Sequence, residues 1–118
     1  MVVVGLLISH LSLQKIALSD LAGNNISKGA LNSLTQSLAV DFAERNITFN
    51  GVPSGFCKTS YYEGFRQNQE LHESILERIP MKRWGESSEI IGVCDFFLSD
   101  AADYITGATS PVDGGWLA

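Results

Sequence analysis

Residues 27–52 read SKGALNSLTQSLAVDFAERNITFNGV, and the apolar period changes partway through. Ile26, Ala30, Leu34, Leu38 and Phe42 recur every four residues, which lays a stripe along a helix from about 25 to 44 that ends near Arg45 and Asn46. Ile47 and Phe49 then alternate with polar neighbours, the pattern of a short strand that stops at Pro53 to Gly55 and opens into a loop.

On the amino-terminal side, Val2, Val3, Val4, Leu6, Leu7 and Ile8 form a short unbroken apolar run, which suits a strand buried on both faces of a parallel sheet. Residues 9–25 are rich in Ser, Asn and Gly and read as a connecting loop. On the carboxyl-terminal side, 59–80 reads as one or two short helices around Tyr62 to Phe65 and Leu71 to Arg78. A turn at Gly85 precedes Glu86 to Glu89, acidic and hydroxyl residues that complement the dipole of a new helix. Its body, IIGVCDFFL, is apolar nearly all round, so burial on more than one side is expected. Residues 107–112 read as a last strand, closed by Asp113, Gly114 and Gly115. The order is strand, helix, strand, helices, strand, which predicts an α/β fold with three parallel strands and flanking helices. The helix at 25–44 is expected on one face and that at 86–99 on the other.

Composition excludes several classes of function. The chain has 118 residues, 45% hydrophobic, with net charge −5, which suits one globular domain. Its basic residues are scattered, so no stripe exists to neutralise a phosphate backbone, and nucleic acid is not an expected partner. MVVVGLLI has no basic leader and is too short to cross a membrane, so it reads as a strand and no membrane partner is expected. Cys57 and Cys94 form neither a disulfide framework nor a metal-ligand spacing, which favours a reducing, cytoplasmic setting.

Several motifs carry a family resemblance. SKGALNSLTQSLAVDFAERNITFNGV, GFCKT and RIPMKRWGESSEIIGVCDFFLSDAADYITGATSPVDGGWLA together resemble the carboxyl-terminal half of a short-chain dehydrogenase/reductase, over roughly residues 6–118. SHLSLQ, RIPMKRWGE and VDGGWLA are most similar to the sugar-acid branch, the 2-deoxy-D-gluconate 3-dehydrogenase and gluconate 5-dehydrogenase type. The resemblance implies the carboxyl-terminal portion of a Rossmann-type parallel sheet. Residues 1–118 would then be a single truncated domain without the amino-terminal dinucleotide-binding half. It also implies NAD(P)-dependent oxidoreduction of a secondary alcohol or ketone, with NAD or NADP as cofactor and a small molecule, such as a sugar acid, as substrate.

In such enzymes a tyrosine and a lysine four apart share a helix face. The ammonium depresses the phenol pKa and bonds the nicotinamide ribose, while a serine from the preceding strand holds the substrate oxygen. By this resemblance Lys28 fills the lysine position and Ser9 the serine position, with His10 and Ser12 as rivals to Ser9. Asn24 stands where the tyrosine belongs. An amide can hold an oxygen but has no proton to give near neutral pH. The cofactor-facing positions implied are Lys28, Ser54, Gly55, Cys57 through its backbone, and Thr59; Ser54 replaces the family's proline, which has moved to Pro53. No glycine-rich phosphate-binding turn occurs in these residues.

Each sharp reading has a plain counterpart. A lone lysine at a helix start is usually solvated, and Ser9 and Ser12 commonly satisfy turn donors. Tyr61, Tyr62 and Phe65 read equally as a substrate lid or as a patch covering the core. Cys57 has only Lys58 as a basic neighbour, which argues against a reactive thiol. Asp113, Gly114 and Gly115 suit backbone turning and subunit contact. The joint loss of phosphate turn and proton donor predicts that the chain alone is inactive. Two alternatives remain: an oligomerisation or regulatory module, as a homo-oligomer or joined to a full-length relative, and a non-functional remnant.

Overall fold

A strand–helix–strand unit forms the centre of the molecule. The computed structural model describes residues 3–10, 22–60 and 62–118, with side chains described from residue 26 onward. Strand β1 (Val3–His10) lies parallel to β2 (Ile47–Ser54), paired in register from Val3 opposite Ile47 to His10 opposite Ser54. Between them runs helix α1 (Ala22–Phe42), extended by a 3-10 turn at Ala43–Arg45. Asn46 stops it by adopting the left-handed conformation (φ 56°), and its N–H returns to the Ala43 carbonyl at 3.0 Å. Then come α2 (Tyr62–Gln67), α3 (Gln69–Arg78) and α4 (Ile91–Leu98), the last entered through a 3-10 turn at Ser87–Ile90. Asn68 caps α3, its side chain accepting from the Leu71 N–H at 3.1 Å.

Side chains alternate across a strand, so the two faces of β2 report what covers each side. On one face Phe49 meets Phe42 of α1, ring centroids 5.4 Å apart, and Gly51 lets α1 approach until a Cβ there would lie 3.6 Å from the Thr35 hydroxyl. On the other face Val52 packs with Phe97 of α4 and with Ala102. Helices therefore cover both faces, as the sequence predicts.

Three details differ from the sequence reading. The α1 face that packs inward is built on Thr35 and Ala39, whereas Ile26, at 73% exposure, and Leu34 face outward. Helix α4 is not buried on more than one side: Phe97 is buried, while Ile91, Phe96 and Leu98 are exposed. The strand expected at 107–112 is present as a paired segment rather than a regular strand, joined to β2 by isolated parallel bridges Gly51–Thr109 and Ser54–Val112.

Pro53 accounts for the third difference. The Gly51 N–H donates to the Ala108 carbonyl, Ser110 N–H to Gly51, Val112 N–H to Pro53, and Gly55 N–H to Val112. The one position in this alternation that should donate to Ser110 is Pro53, which has no N–H. The ladder is interrupted there, although β2 itself continues through Pro53 to Ser54. Asn50 offsets part of the loss. It is fully buried, its amide donates to the Ile105 carbonyl at 2.9 Å, and its oxygen accepts from the Ala108 N–H at 3.1 Å.

A second core cluster sits beyond the sheet. Ile75, Ile79, Trp84 and Trp116 are buried together, with Phe56, Tyr62 and Phe65 packed against them. Tyr62 and Phe65 thus cover a core; Tyr61 lies outside the described residues. Gly114 and Gly115 turn the chain with φ of 64° and 89°, and Asp113 accepts from the Gly115 and Leu117 N–H groups.

Candidate functional site

Helix α1 runs against the direction of β2: Phe42 lies over Phe49, and Thr35, two turns earlier, over Gly51. Two further turns back, on the same side of the helix, is Lys28. This puts Lys28 toward the carboxyl end of β2, on the side where open parallel sheets hold their ligands. Lys28 is half-buried and makes no hydrogen bond or ion pair among the described residues. Asn24 lies one turn before it within α1, and Ser9 and His10 close the carboxyl end of β1 opposite Pro53 and Ser54. The side chains of Ser9, His10 and Asn24 lie outside the described ones, and Ser12 lies outside the described residues altogether.

The remaining candidates line the loop leaving β2. Ser54 and Gly55 are buried. Gly55 is required by packing: a Cβ there would sit 2.5 Å from the Asp113 Cα, a distance only a glycine tolerates. Cys57 is buried, and burial first, then Glu89 and Glu86, push its thiol pKa up, so it is a poor nucleophile. Its main-chain N–H has no acceptor among the described residues. Thr59 is exposed, and its carbonyl accepts from the Tyr62 N–H at 3.0 Å.

Sequence reasoning missed what holds this loop. Lys58 N–H donates to the Gly85 carbonyl at 2.8 Å and Gly85 N–H to the Phe56 carbonyl at 2.9 Å, a short parallel bridge between loop and turn. Lys58 also pairs with Glu86, and Ser87 Oγ donates to the Lys58 carbonyl at 3.2 Å. Arg83 grips Glu89 with both prongs, Nη1 to Oε2 at 2.7 Å and Nη2 to Oε1 at 2.6 Å. Glu86 N–H adds a third donor to Oε2 at 2.8 Å. Arg83 first, then the Glu86 N–H, hold the Glu89 carboxyl down at about 2. The sequence reading gives Glu89 to the first turn of the helix, where it does accept the Glu86 N–H; Arg83 is the partner it did not name. The three-residue spacing from Glu86 to Glu89 was the available signal for the local N–H contact, but nothing in it points to Arg83.

Among the described residues no group of His, Cys, Asp and Glu could hold a metal ion, and no helix is long and apolar enough to cross a membrane. Residues 6–117 match the family model described as enoyl-(acyl carrier protein) reductase. The chain belongs to the short-chain dehydrogenase/reductase family. It is 40% identical over 92 residues to the 2-dehydro-3-deoxy-D-gluconate 5-dehydrogenase of Dickeya dadantii, a match covering 78% of this chain and 36% of the relative. It is 42% identical over 90 residues to the galactitol 2-dehydrogenase of Cereibacter sphaeroides, covering 76% of this chain and 35% of that one. Among solved structures, the gluconate 5-dehydrogenase of Burkholderia cenocepacia in complex with NADP and tartrate superposes with a TM-score of 0.87 at 31% identity, over 96% of this chain and 45% of that chain. This short-chain dehydrogenase/reductase chain therefore spans about a third of the length of the curated relatives it matches.

Proposed function

We propose that these residues form the nicotinamide- and substrate-facing part of an NAD(P)-dependent oxidoreductase of secondary alcohols or ketones, with sugar acids as the substrate class, and that the 118 residues alone do not catalyse. The relatives named above support the reaction class. The observation that carries the second half is Asn24, one helical turn before an uncommitted Lys28.

The residues present suit one end of a nicotinamide dinucleotide and not the other. A Lys28 ammonium at the carboxyl end of the sheet and a Cys57 N–H, both without a partner among the described residues, are the donors that ribose hydroxyls and a carboxamide require. For the pyrophosphate these residues offer no glycine-rich turn. When bound, the nicotinamide would supply or accept a hydride. Lys28 would hold the ribose, Ser9 would donate a hydrogen bond to the substrate oxygen, and Asn24 could orient that oxygen but not protonate it. Thr59 and the Gly55 backbone would complete the cofactor-facing side, with Ser54 beneath them. Cytoplasmic work is consistent with two unpaired thiols.

Calorimetric titration with NADPH and NADH tests this reading. No saturable binding is expected from these residues alone; micromolar binding that Lys28→Ala abolishes would overturn it.

A second reading, self-association, is favoured by one observation. Helix α1 presents Ile26, Leu34 and Val40 to solvent, Val40 at 77% exposure. Light scattering should then show a dimer that Val40→Asp returns to monomer, and a monomer at every concentration would end the idea.

A further inference from the structure

Packing holds only one side of the loop after β2, where the Phe56 ring meets Trp84 and Trp116 at 5.3 and 4.9 Å between centroids. Beside it lies a cavity of about 100 Å³ whose lining includes Phe56, Cys57, Arg83, Gly85, Glu89 and Asp113, so on this side the loop has no close-packed support. Gly55 anchors its start against Asp113. From Phe56 to Lys58 the main-chain bonds to other segments, among the described residues, are the two to Gly85 and one that the Lys58 carbonyl accepts from Ser87 Oγ. The backbone of residues 56–58 is therefore tied to the turn at 85–87, with two of its three bonds at Gly85.

Gly85 in turn follows Glu89. One carboxylate accepts both prongs of Arg83 and the N–H of Glu86, so it ties together the two residues that bracket Trp84 and Gly85. Both this pair and Lys58–Glu86 are exposed, and what sets Arg83–Glu89 apart is the two-pronged, charge-assisted geometry with a third donor from Glu86. We propose that Glu89 is a positioning residue, which sets the turn at 83–86 and through Gly85 the place of the 56–58 backbone that would face the nicotinamide. This rests on the reading of the loop given above, which the NADPH titration tests separately; whether Glu89 holds the loop is decided without cofactor.

The carboxyl of Glu89 is depressed, so its contribution is present above its ordinary value of about 4.5 and is lost as pH falls toward about 2. The experiment is amide hydrogen exchange on the whole chain and on Glu89→Gln, at several pH values. Glu89→Gln keeps the shape and removes the charge. Protection of the Lys58 and Gly85 amides should fall about tenfold in the variant while β2 and α1 keep theirs. In the parent, protection at these two amides should fall from pH 4.5 toward 2, and in Glu89→Gln, where the Glu86 carboxylate beside Lys58 remains, that fall should be smaller. Unchanged protection at Lys58 and Gly85, or a loss spread evenly over β2 and α1, would overturn the proposal. If Glu89→Gln does not fold, Arg83→Lys, which keeps the charge and loses the two-pronged geometry, is read in the same way.

Discussion

Asn24 and Lys28 show how much a single residue can settle. Their spacing puts both on one helix flank, and the chemistry follows from side-chain inventory alone: an ammonium that donates, and an amide without a transferable proton. Lys28, Gly55 and Thr59 are candidates by motif alone, and their roles await the titration below. Asn50 was not legible in the same way, since nothing in the string NGV says that its amide spans to residues 105 and 108. Fully buried and bonded at both ends, Asn50 stitches the interrupted third segment to β2. Asn50→Ala takes the side-chain partner from the part-buried Ile105 carbonyl and Ala108 N–H, at about 1 kcal/mol for each bond. Urea denaturation should show a midpoint lowered accordingly; an unchanged midpoint would mean that Asn50 bears no such load.

At the scale of elements, periodicity located α1 but misjudged its inward face. Positions four apart drift by about 40° per step on a helix of 3.6 residues per turn, so Ile26 and Phe42 end up on nearly opposite sides. Only the end of that stripe reaches the sheet, and small residues, Thr35 and Ala39, take the close approach. Helix α4 was misread for a related reason: an apolar sequence reports what could be buried, not how many neighbours are there to bury it. The third strand was legible in position and not in regularity, because Pro53 removes a donor that no pattern of hydrophobicity records. Pro53→Ala should restore an N–H facing the Ser110 carbonyl. The added bond and the greater freedom of the unfolded chain oppose one another, each at about 0.5–1 kcal/mol, so thermal stability is a poor readout. The decisive signal is a slowly exchanging amide at residue 53, and fast exchange there would refute the account of the interrupted ladder.

Across the whole molecule, large exposed apolar side chains, from Ile26 and Val40 on α1 to Ile91 and Leu98 on α4, rival the buried ones among the described residues. Both helices that cover the sheet keep an apolar flank in solvent. The matched relatives extend over almost three times the aligned length. The central claim is that these residues keep the nicotinamide-facing side of a dehydrogenase without the means to hold the dinucleotide. Calorimetric titration of the purified chain with NADPH tests it most directly. A flat titration is the predicted result; saturable binding in the micromolar range, lost in Lys28→Ala, would contradict it and leave Asn24 as the sole barrier to catalysis.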